Sequence, residues 1–403
     1  MSDLHTAAPS TGHATLAPSS APQWGHCAGS VKAQLAFPDL ESEQAREGTA
    51  AHWVMSEALE AYKKGAVVPC DAYEGQQAPN GVIIDEKMTE GAQVMVDSVL
   101  STWQRWAHEG ELLVEQRVRM PNIHPTENWG TLDASLYLPE RKVLYIWDYK
   151  HGHRDCQAEN NLQLVNYLAG LVERYQIDGV TDQQTTVVAR IVQPFSYHAK
   201  GPIKDWVFKL SDLRGIWNQL SAKAHEALSD NPRLSTGTWC RDCKAVGVCS
   251  SARMAGYNFV DMVNEPYQMD EMAGSDLTVE RSILQDGLAV AKARLEAIED
   301  ELTHRVQKGE TDSGLTLEAS KGREQWTIPT KQVIMLCGQL GVDATKEAVK
   351  TPRQTREAAP KEVRPALETV MANVVRRPAG KIKLVPASGT KAARAFHTKE
   401  ERK

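Results

Sequence analysis

No run of about twenty consecutive apolar residues occurs in this chain of 403 residues, so a membrane-spanning helix is not expected. The first residues carry no basic flank followed by an apolar core, so no secretory leader is expected either. A reducing, cytoplasmic setting is the expectation that follows, and the seven cysteines then do not read as a disulfide framework. There is no G-x-x-x-x-G-K-[ST] phosphate loop and no internal repeat. The net charge of −6 is too small to argue for or against nucleic acid.

What is present is ordinary globular material, 41% hydrophobic and 24% charged, long enough for two or three domains. Residues 1–22 are rich in Ala, Ser, Thr and Pro without periodicity and are expected to be unstructured. Residues 23–256 read as the main domain, 257–342 as a mainly helical accessory region and 343–403 as a basic, partly unstructured tail. That tail holds fifteen Lys/Arg against seven Asp/Glu, enough to contact phosphates or simply to be solvated.

Periodicity divides the main domain. A helix is expected over Glu43–Tyr62, with Ala51, Val54, Met55, Ala58 and Leu59 on its apolar face and His52 at the border of that face. A second is expected over Met88–His108. Three short β-rich runs follow at 112–120, 130–138 and 142–150, joined by turn residues and read as an antiparallel meander. Then come a helix over Ala158–Tyr175, a buried-type strand at 185–194, a helix over Ser211–Leu228 and a cysteine triplet. The expected class is α/β, helices packed on a mixed sheet. Further on, 276–308 reads as a helical hairpin or one long amphipathic helix, Leu315–Ile328 as a small β-pair and Thr330–Leu340 as a short helix.

Two constellations carry chemistry. Asp133 falls inside the second strand and Asp148 near the end of the third, where carboxylates are unfavourable unless paired or bound to a cation. If the strands pair, both can reach one divalent ion such as Mg²⁺. Lys150, two residues beyond Asp148, points to the same side of the strand and can assist an attacking water. Alone, this D-x-K arrangement reads equally as a surface salt bridge. Gln163 and Tyr167 lie four apart on one face of the next helix, placed to brace the site, to touch phosphate, or, for the tyrosine, to pack. Glu115 reads as an outer or solvent-facing residue, and Glu57 points elsewhere on its helix.

The second constellation is Cys27 with Cys240, Cys243 and Cys249, a C-x2-C-x5-C run and one remote partner. Four thiolates can hold zinc, for which C-x2-C is the commonest half-site, or an iron–sulfur cluster. Cys70, Cys156 and Cys337 stand alone and read as packing residues.

Taken in order, His52, Gly-Thr-Leu-Asp133, Asp148-Tyr-Lys150 and Gln163-x3-Tyr167 resemble the RecB-type branch of the PD-(D/E)xK nuclease superfamily. The cysteines resemble its iron–sulfur subset, which includes AddB and the CRISPR adaptation nucleases. The runs WGHCAGS, EGTAAH, GTLD, DYKHG and NNLQLVNY, with GREQWTIP and GKIKLVPASGTKAARAF near the end, resemble a phage and prophage family of that branch. The resemblance covers about residues 24–255. It implies a restriction-endonuclease-like core with a mainly helical C-terminal region. His52, Asp133 and Asp148 become ligands of Mg²⁺ or Mn²⁺, Lys150 the catalytic lysine, and Gln163 and Tyr167 the helix motif beside the site. Cys27, Cys240, Cys243 and Cys249 become ligands of a [4Fe–4S] cluster, with zinc the alternative. Asp148 stands where many relatives have Glu, and the missing phosphate loop means that the helicase of some relatives is not present.

The expected function is metal-dependent hydrolysis of DNA, as an exonuclease in phage or prophage replication or recombination, in a bacterial host's cytoplasm. DNA and a phage recombination or single-strand-annealing protein are the expected partners. The competing expectation is a non-catalytic, cluster-stapled DNA-binding or scaffold protein. A decayed site would favour that alternative, and no ligand or lysine is missing.

Overall fold

The computed structural model describes residues 14–38, 41–177, 182–196, 201–264, 273–310, 312–321, 324–328, 330–346, 348–376 and 379–386. Two compact units divide the chain, Met1–Arg294 and Leu295–Lys403. The first contains α1 (Ala21–Trp24), α2 (Ser30–Gln34), α3 (Glu43–Lys63), α4 (Glu86–Arg105), β1 (Glu111–Arg119), β2 (Trp129–Leu138) and β3 (Val143–Tyr149). It continues with α5 (Leu162–Arg174), β4 (Thr186–Val192), β5 (Ile203–Lys209), α6 (Arg214–Leu228) and α7 (Ser250–Asn264).

The five strands form one mixed sheet in the order β1-β2-β3-β4-β5. The expected meander is present, with β1–β2 and β2–β3 antiparallel. β4 adds parallel to β3, from Val143 opposite Thr186 to Tyr149 opposite Val192. A parallel neighbour needs a crossover, and α5 lies within it. β5, not anticipated from the sequence, closes the other edge antiparallel to β4. Its run Ile-Lys-Asp-Trp-Val-Phe-Lys carries too many charges to read as a core strand, which suits an edge.

Helices cover both faces. On one side Val54, Met55 and Leu59 of α3 and Met88, Met95 and Val99 of α4 pack on Leu136, Tyr145 and Trp147. On the other, Leu164, Leu168 and Leu171 of α5 and Trp217 and Leu220 of α6 pack on Leu132, Leu144 and Ile146. Fully buried side chains such as Met55, Met95 and Leu136 each contribute roughly 1.5–3 kcal/mol.

One irregularity positions the site. Along β1, Leu112 and Val114 face α3 and α4, yet Val118 faces α5. Along β2, Ala134, Leu136 and Leu138 face α3 and α4, yet Leu132 faces α5. The register between the strands does not shift, so both reverse face together, at Glu115 and the Asp133 opposite it. Glu115 sits at φ 44°, a left-handed backbone that a non-glycine residue adopts only at a cost of order 1–3 kcal/mol.

Several expectations are corrected. Residues 14–22, expected to be unstructured, pack against the domain: Leu16 is fully buried, and the Trp24 indole donates to Ala17 O at 3.0 Å. Composition hid this because the anchoring apolar residues are few and widely spaced. The boundary expected after Gly256 falls inside α7, and the division between units comes at Arg294 instead. In the second unit Leu315–Lys321 pairs with Ala379–Pro386, and Gln325–Trp326 with Val375–Arg376, rather than with one another. Helices Pro352–Ala358 and Arg364–Val374 lie in the stretch read as tail, and Leu367 and Met371 pack with Val333 and Cys337. Residues 1–13 and 387–403 lie outside the described residues. No helix among the described residues is long and apolar enough to cross a membrane.

Candidate active site and cysteine centre

The reversal in β1 and β2 opens the sheet beside the end of β3. The β2–β3 ladder stops at Ala134 opposite Trp147. Beyond it the Tyr149 N–H donates to Asp133 Oδ2 at 2.6 Å, so a side chain replaces the strand partner. His52 reaches this point from α3, its Nδ1 3.3 Å from Asp133 Oδ1 and 3.7 Å from Glu115 Oε1. His52, Glu115 and Asp133 each offer a ligand atom within 4.8 Å of the others. Among the described residues this is the only His/Cys/Asp/Glu trio so close.

Asp148 and Lys150 approach from the α5 side of β3. Asn161 caps α5, its Oδ1 accepting from Gln163 N at 3.0 Å and Leu164 N at 3.3 Å. That cap places Gln163 in the first turn. Its Nε2 donates to Asp148 Oδ1 at 2.7 Å, and its Oε1 accepts from Lys150 Nζ at 2.9 Å. Lys150 Nζ is also 2.8 Å from Asp148 Oδ2, an ion pair whose alignment leaves that buried oxygen without a directed hydrogen bond. Tyr167, one turn on, spends its hydroxyl on Thr131 O at 2.6 Å. It braces the strand that carries Asp133 and does not touch Asp148 or Lys150 by hydrogen bond.

The electrostatics follow from burial and pairing. Burial works against protonation of His52, but the Asp133 and Glu115 carboxylates outweigh it and hold its pKa well above the ordinary value. Burial would raise Asp133, and the facing His52 with the Tyr149 amide turns the net shift downward. Burial dominates at Asp148, raising its pKa despite Lys150. Lys150 is desolvated too, yet Asp148 keeps it firmly charged.

The donors fit a hard divalent cation: carboxylate oxygens, one imidazole, and the Asp148 oxygen that lacks a directed hydrogen bond. His52 and Asp133 form an acid–base couple whose proton such an ion would displace. Of the residues anticipated from sequence, His52, Asp133, Asp148, Lys150 and Gln163 all meet here. Glu115 was read only as an outer or solvent-facing residue. Its position opposite Asp133 could be found only once the register of β1 on β2 was known.

The four cysteines gather elsewhere in the same unit. Cys27 lies between α1 and α2, and its Sγ accepts from Ser235 N at 3.3 Å. Gly29 N donates to Arg233 O at 2.8 Å, Ser235 Oγ to His26 O at 2.7 Å and Lys244 N to Gln34 Oε1 at 3.1 Å. The His26 ring stacks on Trp239 at 4.6 Å. These contacts hold the N-terminal segment on the triplet loop. Burial raises the Cys240 thiol, with Cys27 and Cys249 adding to it. Burial pushes Cys243 up to about 11, and the three other cysteines reinforce the shift. No three of these sulfurs lie within 4.8 Å of one another among the described residues.

Residues 13–392 match the family described as "Protein of unknown function (DUF2800)". The chain belongs to that family. The match takes in both constellations and most of the second unit.

Proposed function

We propose that this chain is a metal-dependent DNA nuclease of the RecB-type PD-(D/E)xK kind, an exonuclease serving phage or prophage replication or recombination. One observation carries the reading. His52, Glu115 and Asp133 meet Asp148, Lys150 and Gln163 where two strands part, five elements converging on one opening. Surface salt bridges do not need a strained strand residue, a broken ladder and a desolvated lysine to form.

His52, Asp133, Glu115 and Asp148 would hold Mg²⁺ or Mn²⁺, which supplies an activated water and neutralises charge on the phosphate. The chain's own part is mostly orientation. Gln163 grips Asp148 with its amide nitrogen and Lys150 with its oxygen, fixing both at once. Lys150 thus presents a fixed positive charge to the phosphate as negative charge develops, and its N–H groups can orient the attacking water. Tyr167 holds Thr131 and with it the strand bearing Asp133. Such a site recognises backbone phosphate and leaves base sequence unread.

For the cysteines the same reading gives a [4Fe–4S] cluster. Zinc with sulfur ligands at about 2.3 Å draws them to roughly 3.8 Å from one another. A [4Fe–4S] cluster would hold them farther apart, and that reading rests on the pattern of Cys27 with Cys240, Cys243 and Cys249. The test is digestion of end-labelled single- and double-stranded DNA by anaerobically purified protein with Mg²⁺, Mn²⁺ or EDTA. Digestion should need the metal and fall on the order of 10²–10³-fold in Asp148→Ala and Lys150→Ala. Folded protein with its cysteine centre loaded that digests neither substrate would overturn the nuclease reading. Iron and sulfide content, against zinc content, decides the nature of the centre.

A further inference from the structure

The connection from Lys150 to α5 runs from His151 to Asn161 without helix or strand. Its backbone groups therefore need partners from elsewhere. Two buried polar side chains supply them. Gln193, 1% exposed, directly follows β4, and Lys204, 6% exposed, lies on β5.

Gln193 uses every hydrogen-bonding position it has. Its Nε2 donates to Gly152 O at 2.9 Å and Arg154 O at 2.5 Å. Its Oε1 accepts from Cys156 N at 3.0 Å and Lys204 Nζ at 3.0 Å. The remaining donors of Lys204 go to Cys156 O at 2.8 Å and to the Asp155 carboxylate. A buried ammonium is costly, and an apolar pair would fill the same space with less penalty. What the polar pair adds is a single path for the connection.

Both ends of that path lie at the site. Lys150 N donates to Val192 O at 2.9 Å, so the connection leaves β3 beside the point where Gln193 leaves β4. At the far end Asn161 Nδ2 donates to Gln157 O at 3.0 Å, while its Oδ1 caps α5 and sets Gln163. We propose that Gln193 and Lys204 are positioning residues for the Asp148–Lys150–Gln163 site, fixing through residues 151–157 where Gln163 meets Lys150. The proposal rests on the nuclease reading for its kinetic consequence, though not for its structural one.

The test uses the full-length protein, with Lys204→Met and Gln193→Leu compared against Val187→Ala. Val187 is fully buried on β4, opposite Leu144 and Phe208 at the end away from the connection, so its truncation controls for stability alone. Both polar variants should lower kcat on the order of 10²-fold with KM within about threefold. Val187→Ala at equal loss of Tm should retain kcat. Hydrogen exchange should speed up at the amides of 151–163 in the polar variants and not in Val187→Ala. Wild-type kcat in Lys204→Met, or a kcat loss matched by Val187→Ala, overturns the proposal. If the wild type cuts no DNA, the nuclease reading fails by itself and exchange decides: faster at 151–163 supports the positioning role, and unchanged exchange ends it.

Discussion

The carboxylate site and the cysteine centre join distant parts of the chain by opposite means. At the first, side chains hydrogen-bond to one another, so Asp133, His52, Asp148, Lys150 and Gln163 hold a geometry of their own. At the second, hydrogen bonds that each use a backbone group, with the His26–Trp239 stack, dock the N-terminal segment on the triplet loop, and no three of the thiol sulfurs lie within 4.8 Å of one another among the described residues. The first is pre-organised chemistry on a sheet. The second is a closure of loops around four thiols. The difference teaches that the cysteine centre should govern stability and the carboxylate site activity.

The sharpest way to break that contrast is to remove the closure. Cys240→Ser with Cys243→Ser should cost about 2–4 kcal/mol in urea denaturation, the scale of a long-loop crosslink. Activity per folded molecule should fall far less than in Asp148→Ala. Equal loss of activity in both would mean that the two sites are one functional unit.

A smaller effect tests the carboxylate side. Tyr167→Phe removes the hydrogen bond to Thr131 O, a buried partner, and should cost about 1 kcal/mol by thermal unfolding. Cleavage should drop less than tenfold, because the tyrosine braces the strand and leaves Lys150 untouched. A loss as large as that of Lys150→Ala would place its hydroxyl on the substrate.

The smallest effect tests the bridge between the sites. Arg154, in the connection after Lys150, makes a two-pronged pair with Asp242 of the triplet loop at 2.6 and 3.0 Å. Both side chains are largely exposed, so the coupling energy should be about 0.2–1 kcal/mol in a double-mutant cycle of Arg154→Ala and Asp242→Ala, and weaker in high salt. A coupling above this range would mean that the cysteine centre communicates with the carboxylate site through this pair.

The helices α3, α4 and α5 and the meander were legible because their apolar residues repeat at the periods of helix and strand over long stretches. Asp133 and Asp148 stood out because a strand interior is costly for a carboxylate, and His52, Lys150, Gln163 and the cysteines because of their order and spacing along the chain. β5 was not, since half its residues face outward and its lysines mask the pattern. Nor was the role of Gln193 and Lys204, because a glutamine and a lysine in strands carry no mark of burial until the loop they hold is placed over them.

The sequence by itself determined the kinds of chemistry available and the elements that carry them, because side-chain type and local periodicity are properties of neighbouring residues. Only the tertiary structure decided that Glu115 stands opposite Asp133, that β1 and β2 reverse together, and that the ladder opens at Tyr149. Those facts depend on register and on the alternation of faces, which strands acquire only by pairing with one another.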